Sequence, residues 1–256
     1  MPERYLMVQF GVEKEVVRDF GYKELFLTYR GERTPYKGII KDGELLAIVS
    51  RRYYLFENER LLRVLRTFSE LYSAPMRIIA QTKTQVYVEL KKTDSYTLLV
   101  QNSVDGTEAL KVWYAYKIGE YPIPIVSKHL LYMKHIGARI GEVERELPEI
   151  LSVFMNSIEQ VLLPFVHILP REVTKEQLEE VKDIGIPDKY LSGLTLHTLT
   201  GNLTVGKLLA RVSRKLWREN IKMVTRKRYF KLLLDLIFIW HEDAFEQIKE
   251  SLRCIV

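Results

Sequence analysis

A single cysteine, Cys254, stands in 256 residues. That excludes an intramolecular disulfide and a cysteine-based zinc site, and it suits a reducing cytoplasm. The N-terminal stretch MPERYLMVQFGVEKEVV lacks the uninterrupted apolar core of a signal peptide. Long hydrophobic runs are missing as well. The longest one near the C-terminus, LLLDLIFIW, is interrupted by Asp235 and falls well short of the roughly 20 residues a membrane-spanning helix needs. The expectation is a cytoplasmic protein with no membrane partner. The five histidines, His129, His135, His167, His197 and His241, show no His-x-x-x-His or similar ligand spacing, so neither a metal nor a cofactor is expected. Repeats and low-complexity tracts are lacking too. Scarce Gln and Asn beside 28% charged residues point to a thermophilic host.

What is present is ample apolar material. At 47% hydrophobic, the chain can bury the core of one domain or of two closely packed ones. A net charge of +6 leans toward a polyanionic partner, and its distribution says more than its total. Between Lys207 and Lys231 stand Lys207, Arg211, Arg214, Lys215, Arg218, Lys222, Arg226, Lys227, Arg228 and Lys231, opposed by Glu219 alone.

The same region contains GNLTVGKLL, in which Gly201, Gly206 and Lys207 match the spacing of a phosphate-binding loop. The metal-binding hydroxyl of that motif is replaced by Leu208. The preceding LTLHTLT, residues 194–200, alternates like a strand, and LLLD ending at Asp235 resembles the second metal-binding strand. A phosphate-binding loop also requires a parallel sheet built from βαβ units. The sequence after Asn202 reads as helical throughout, so the NTPase reading is set aside.

Two periodicities divide the chain. Up to about residue 126 the pattern is strand-like. PYKGIIKDGELLAIVSRRYYLF holds two β-branched runs around Asp42-Gly43, a hairpin signal. NERLLRVLRTFSELY, near 58–72, has the helical spacing of Leu61, Leu62, Leu65, Phe68 and Leu71 or Tyr72 on one side, with Asn58 as cap. Four further strands follow, joined near Thr82 to Thr84, Thr93 to Ser95 and Asp105-Gly106, in an antiparallel meander. For Asp105-Gly106 a type I′ turn accounts for both residue types.

From residue 127 the period is helical. A long amphipathic stretch contains Pro148, which either kinks it or marks its first turn. TKEQ from Thr174 is a capping-box pattern, and IGIPDKYLSG reads as an exposed connection. The spans 203–226 and 229–252 read as a final helical pair capped by Thr204 or Asn202, with the basic helix reaching residue 228. The expected fold is α+β: an N-terminal antiparallel sheet with one inserted helix, 1–126, then a helical half, 127–256, together one compact unit.

Several stretches, in order, resemble a known family. YKGIIKDGELLAIVSRRYYLFENERLLRVL, then LLVQNSVDGTEALKV, then YMKHIGARIGEVERELPEIL, then TVGKLLARVSRKLWRE are similar to the phage/plasmid-like family of domains of unknown function, numbered nine hundred and thirty-two. Ile48 to Asn58 match its Val-x-x-x-Tyr element and Asn-Glu helix start, and Asn102 to Thr107 match its Asn-Ser-x-Asp-Gly-Ser/Thr hairpin. His135 matches the histidine ahead of its long helix. Departures occur at Val104, at Ala210-Arg211 and at Arg218, where the family has His, Asn-Ala and His, and its Arg-x-Val-Cys-x-Asn strand is missing. The resemblance spans roughly Tyr36 to Glu219. It implies a viral or plasmid-borne protein and brings no established activity.

The residues themselves point to nucleic acid. At 100° per residue Lys207, Arg211, Arg214, Arg218 and Lys222 share a helix face flanked by Lys215 and Arg226, with Leu209, Val212, Leu216 and Met223 opposite. Such a face can follow a phosphate backbone; the alternative is a solvated face. Aromatics interleave with cations at Tyr29-Arg30, Arg33, Tyr36-Lys37 and Arg51-Arg52-Tyr53-Tyr54. The last group is a candidate stacking surface for unpaired bases, and the alternative is a set of half-buried strand tyrosines. Together these favour single-stranded DNA, with strand annealing as an extension, in replication or recombination. Two alternatives stand beside this reading. Glu89 and Lys91 in QVYVELKK alternate as in metal-dependent nucleases, although no upstream Asp lies at the expected distance. The apolar residues of 229–252 could form a homo-oligomer interface.

Overall fold

The protein is described by a computed structural model over residues 10–125, 130–136, 139–194, 198, 201–219 and 221–254. Four strands open it: Phe10–Val17 (β1), Tyr22–Tyr29 (β2), Glu32–Lys41 (β3) and Glu44–Ser50 (β4). They pair consecutively and antiparallel. The β3–β4 link is the expected tight turn, with Asp42 and Gly43 at φ 50° and 83°, the double left-handed geometry that suits strand twist. Arg30 and Gly31 repeat it between β2 and β3, at 51° and 83°. Arg30 makes this turn less legible than the first, because arginine pays a steric cost in a conformation that Gly31 adopts freely.

Asn58–Leu71 (α1) follows the first sheet, burying Leu61, Leu62, Leu65 and Phe68 as their spacing predicts, whereas Leu71 and Tyr72, expected on the same side, are exposed where the helix ends. Asn58 is not the cap. Glu57 holds that position without a side-chain bond, while the buried Asn58 carboxamide oxygen accepts from Asn102 Nδ2 at 2.9 Å. Asn102 Nδ2 also donates to the Phe56 carbonyl at 2.9 Å, so a residue 44 positions away recruits Asn58 for a tertiary bond.

The second sheet comprises Met76–Gln81 (β5), Gln85–Lys91 (β6), Tyr96–Ser103 (β7), Leu110–Ile118 (β8), Tyr121–Pro124 (β9) and Leu131–Met133 (β10), in the order β10-β8-β7-β6-β5 with β9 on β8. Its turns carry the expected chemistry. Thr82 Oγ1 accepts from Gln85 N at 3.0 Å, and Thr93 Oγ1 from Tyr96 N at 3.1 Å. The Asp105-Gly106 stretch departs from a two-residue type I′ turn. Residues 104–109 separate β7 from β8, and of this pair Gly106 alone has a positive φ, 73°. The Asp105 carboxylate instead organises a wider loop, accepting from Ser103 Oγ at 2.9 Å, Thr107 N at 3.0 Å and Thr107 Oγ1 at 2.5 Å.

Helices complete the α+β fold: Arg139–Ile168 (α2), Lys175–Asp183 (α3), Asp188–Leu191 (α4), Val205–Arg218 (α5), Met223–Trp240 (α6) and Glu242–Arg253 (α7). Pro148 lies inside α2 rather than at its first turn. Within α2, Glu142–Ile168 is the one helix among the described residues that is long and apolar enough to cross a membrane. Its buried residues Val143, Leu147, Leu151, Phe154, Ile158, Val161 and Phe165 recur every three or four positions, while Glu146, Glu149 and Glu159 are exposed. That is the pattern of an amphipathic helix.

The capping box at Thr174 is formed, with Thr174 Oγ1 and Gln177 Oε1 each accepting from the other residue's N–H. IGIPDKYLSG is not a plain exposed connection: it contains α4, and Ile186, Tyr190 and Leu191 are buried. The strand-like stretch read at 194–200 lies mostly outside the described residues, as do His129 and His197.

Two compact units divide the described residues. One lies within Met1–Glu89, Val100–Lys111 and Leu131–Ile150, the other within Leu90–Leu99, Val112–Leu130 and Leu151–Val256. Periodicity had divided the chain at residue 126 within one compact unit. Each unit is assembled from segments separated in sequence, which a linear change of period does not reveal. The first unit has a core of Tyr22, Ile39, Val49, Tyr53, Leu55 and Val104. It also buries a charge: Glu24, fully buried, pairs with Lys37, itself 3% exposed, and with Arg18 Nε at 2.5 Å.

Candidate nucleic-acid interface

The basic segment is two helices. α5 ends at Arg218, and Glu219 leaves it in extended geometry (φ −78°, ψ 144°) before α6 begins at Met223. Arg226, read as a phosphate contact, is the brace of this break. It is 6% exposed. Its guanidinium donates to the Leu216 carbonyl at 2.8 Å and to the Glu219 carbonyl at 3.1 Å, and it lies over the Trp217 ring at 4.6 Å. Carbonyls at the end of a helix lack intrahelical donors, and Arg226 supplies them. It is therefore withdrawn from the interface. The expected final pair is in fact three helices, since His241 (φ −135°, ψ 56°) interrupts the second between α6 and α7.

α5 itself is amphipathic as expected. Val205, Leu208, Leu209, Val212 and Leu216 are buried, while Lys207, Arg214 and Arg218 are exposed and Arg211 is half-exposed. Lys222 stands at the N-cap position of α6 and is exposed, as is Arg228 six residues further on. Among the described residues no carboxylate pairs directly with Lys207, Arg211, Arg214, Lys222 or Arg228. The one acid of the segment, Glu219, is held by Lys189 at 2.6 Å and by the Tyr190 hydroxyl at 2.7 Å. These contacts keep its carboxyl below the usual range.

Local bonds orient several cations. Lys207 Nζ donates to the Asn202 carbonyl at 2.6 Å and Arg211 to the Ser192 carbonyl at 3.0 Å. Lys215 Nζ bonds the Lys189 carbonyl, and Ser192 Oγ at 2.8 Å. Desolvation first, then the charge of Arg211, lowers the pKa of the Lys215 ammonium. Arg218 Nε lies 3.5 Å from the Tyr121 hydroxyl, and the neighbouring Glu120 also favours its charged form. Beside this stripe Gly193, Leu194, Lys207, Ala210, Arg211 and Arg214 line a cleft of about 340 Å³. Three of the residues that line it, Lys207, Arg211 and Arg214, are cations, and none is an acid.

The phosphate-loop likeness dissolves in this geometry. Val205 N donates to the Arg171 carbonyl at 2.9 Å, Gly206 N to the Leu169 carbonyl at 2.8 Å, and Lys207 N to the capping Thr204 hydroxyl at 3.3 Å. The N–H groups a phosphate would need at the start of α5 are already engaged.

The second candidate surface is not built as expected. Tyr53 is 6% exposed and donates its hydroxyl to the Ser103 carbonyl at 3.0 Å, so it offers no face to a base. Arg51 is half-buried, bound to Glu13 at 2.6 Å and to the Leu27 carbonyl at 3.0 Å. Tyr54 is half-buried and Arg52 alone of the four is exposed. The two-residue alternation of a strand does not continue past Ser50, where the chain turns inward after β4. The nuclease pair fares similarly. Glu89 is 2% exposed and held by Arg77 at 2.7 Å, and Lys91 pairs with the exposed Asp94 at 2.5 Å. Among the described residues no three His, Cys, Asp or Glu side chains group as metal ligands.

Sequence reasoning passed over one cluster in the first unit. Tyr53 bridges to Ile136, Tyr54 N donates to the His135 carbonyl at 2.8 Å, and the Tyr53 and His135 rings stack at 5.2 Å. The signal that could have found it lies in the motif stretches themselves, which supply Tyr53, Asp105 and His135. Burial pushes the His135 pKa down to about 4, against smaller upward effects of the Tyr54 carbonyl and Asp105. The unfolded chain thus binds a proton that the folded state refuses between pH 6.5 and 4, so stability is complete above about 6.5 and falls with pH in that window. The expected loss is about 3 kcal/mol. Urea titrations from pH 7 to 4 should show this slope in the wild type and its reduction in His135→Phe; parallel profiles would refute the assignment.

No family model, no curated protein and no solved structure matches the chain.

Proposed function

We propose that the protein binds nucleic acid, single-stranded DNA in first place, by electrostatic capture on the α5 face and the following Lys222 and Arg228. The observation that carries this reading is the row Lys207, Arg211, Arg214, Lys222 and Arg228 without carboxylate partners among the described residues, beside the cationic cleft at Gly193 and Leu194. A solvated helix face ordinarily alternates its charges, and this one does not. Contacts to the backbone leave base edges free, which suits annealing during replication or recombination. The motif resemblance adds a viral or plasmid-borne setting and the host cytoplasm as the place of action.

Fluorescence anisotropy with a labelled single-stranded oligonucleotide tests it. The logarithm of the binding constant should fall linearly with the logarithm of salt concentration, with a slope of about −3 to −4 for some five backbone contacts. A flat salt dependence, or no binding at low salt, would overturn the reading.

A second reading, self-association, draws on the α6–α7 groove, where Phe238 and Phe245 stack at 4.7 Å and Ile239 is 73% exposed. Light scattering over a concentration series checks it: a constant monomer mass removes it.

A further inference from the structure

Three stretches that the motif resemblance singles out meet at one cleft of the first unit, which the basic face does not use. Tyr53 comes from the segment after β4, Gly106 and Thr107 from the β7–β8 loop, and His135 from the segment after β10. With Lys111, Tyr132 and Lys134 they line a volume of about 330 Å³, at the lower end of the roughly 300–1,000 Å³ of small-ligand sites. Such a space holds a monomer rather than a chain.

The chemistry of the walls narrows the occupant. His135 is 3% exposed. Its Nδ1 lies 3.3 Å from the Tyr54 carbonyl, an acceptor, so the proton of the neutral ring sits on Nδ1 and Nε2 carries a bare lone pair. Nε2 is buried with no partner among the described residues. Leaving a buried acceptor unsatisfied is unfavourable, and an N–H donor relieves it. A metal ion would need companion ligands, and the described residues offer no such group. The charges give the second requirement. Lys111 is paired with Glu108 at 2.6 Å, whereas Lys134 is exposed and no carboxylate among the described residues pairs with it. Among the lining side chains Lys134 thus offers the charge that no described carboxylate pairs with, while Asp105, held by Ser103 and Thr107, lies close enough to act on His135. Tyr132, 49% exposed with the Lys111 ammonium 5.4 Å from its ring centre, adds an aromatic wall.

We propose that this cleft binds a nucleoside monophosphate, with an N–H of the base donating to His135 Nε2 and the phosphate paired with Lys134. The Tyr53 ring, stacked on one imidazole face, holds His135 in place. This site does not depend on the α5 face, and the two can succeed or fail separately.

Calorimetric titration with AMP, GMP, CMP and UMP, and with ribose 5-phosphate and inorganic phosphate as probes lacking the base, tests the proposal. At least one nucleotide should bind, and ribose 5-phosphate should bind at least about tenfold more weakly, the equivalent of one hydrogen bond. Lys134→Ala alters an exposed side chain and should weaken the nucleotide about tenfold. His135→Phe keeps a ring and removes the acceptor, with a loss of similar size or greater. Arg211→Glu/Arg214→Glu/Arg218→Glu should leave nucleotide binding intact. Absence of nucleotide binding, equal affinity for ribose 5-phosphate, or an unchanged affinity in Lys134→Ala would each overturn it, whether or not His135→Phe folds.

Discussion

Replacing Arg211, Arg214 and Arg218 together by Glu is expected to weaken binding of single-stranded DNA by at least about 100-fold at 50 mM salt and to flatten its salt dependence. Each side chain lies on the outward stripe of α5, opposite Leu208, Val212 and Leu216. The triple change alters charge by six units and takes the formal net charge of +6 to zero. Arg226 supplies the contrast. Counted by sequence it belongs to the same basic run, yet it is buried against Trp217 and bonded to the Leu216 and Glu219 carbonyls. Arg226→Ala should therefore reduce stability by about 2–4 kcal/mol, since it removes two charge-assisted bonds and a ring contact. At temperatures where it remains folded, its affinity and salt slope should match the wild type. Anisotropy at several salt concentrations, paired with thermal melts, separates the two effects. If the reversal leaves affinity unchanged, α5 is a solvated face and the binding reading falls.

The largest expected effect on stability lies in the first sheet. Glu24→Leu removes the partner of Lys37, a side chain only 4% exposed whose ammonium also lies 5.4 Å from the centre of the uncharged Phe26 ring. An uncompensated charge in such a place costs about 3–5 kcal/mol. The double variant Glu24→Leu/Lys37→Met should recover most of that loss, because exchanging a whole buried pair for apolar side chains is often neutral or better. Arg18 does not rescue the single variant. It pairs with Glu24, and its own side chain is 40% exposed and returns to water when Glu24 is gone. Guanidinium denaturation of the two singles and the double gives the coupling. A single Glu24→Leu variant as stable as wild type would show that the pair is solvated in practice.

Those features whose causes are local were legible in the sequence. Asp42-Gly43 needs two left-handed positions, Thr174 and Gln177 need only each other, and Leu61 to Phe68 need one helix period. The α+β order followed from the same short-range signals. What escaped had distant causes. Arg226 is buried because a broken helix ten residues earlier offers it the Leu216 carbonyl. Asn58 leaves its capping role for Asn102, and Tyr53 is drawn inward by Ser103, 50 residues away. The candidate site divides along the same line. The α5 stripe was visible from its period, whereas the His135 cleft was present only as separate motif stretches, with nothing in their spacing to show that they converge.

Arg211 and Lys215 are tied to the carbonyls of Ser192 and Lys189 rather than waving in solvent. A free arginine or lysine on a surface gives up rotamer entropy of up to about 2 kcal/mol when an anion immobilises it. Here part of that ordering has already taken place during folding. At these positions, and at Lys207, the α5 surface resembles a comb with set teeth more than a brush of loose bristles, and on the proposed reading an incoming strand would meet those charges already placed.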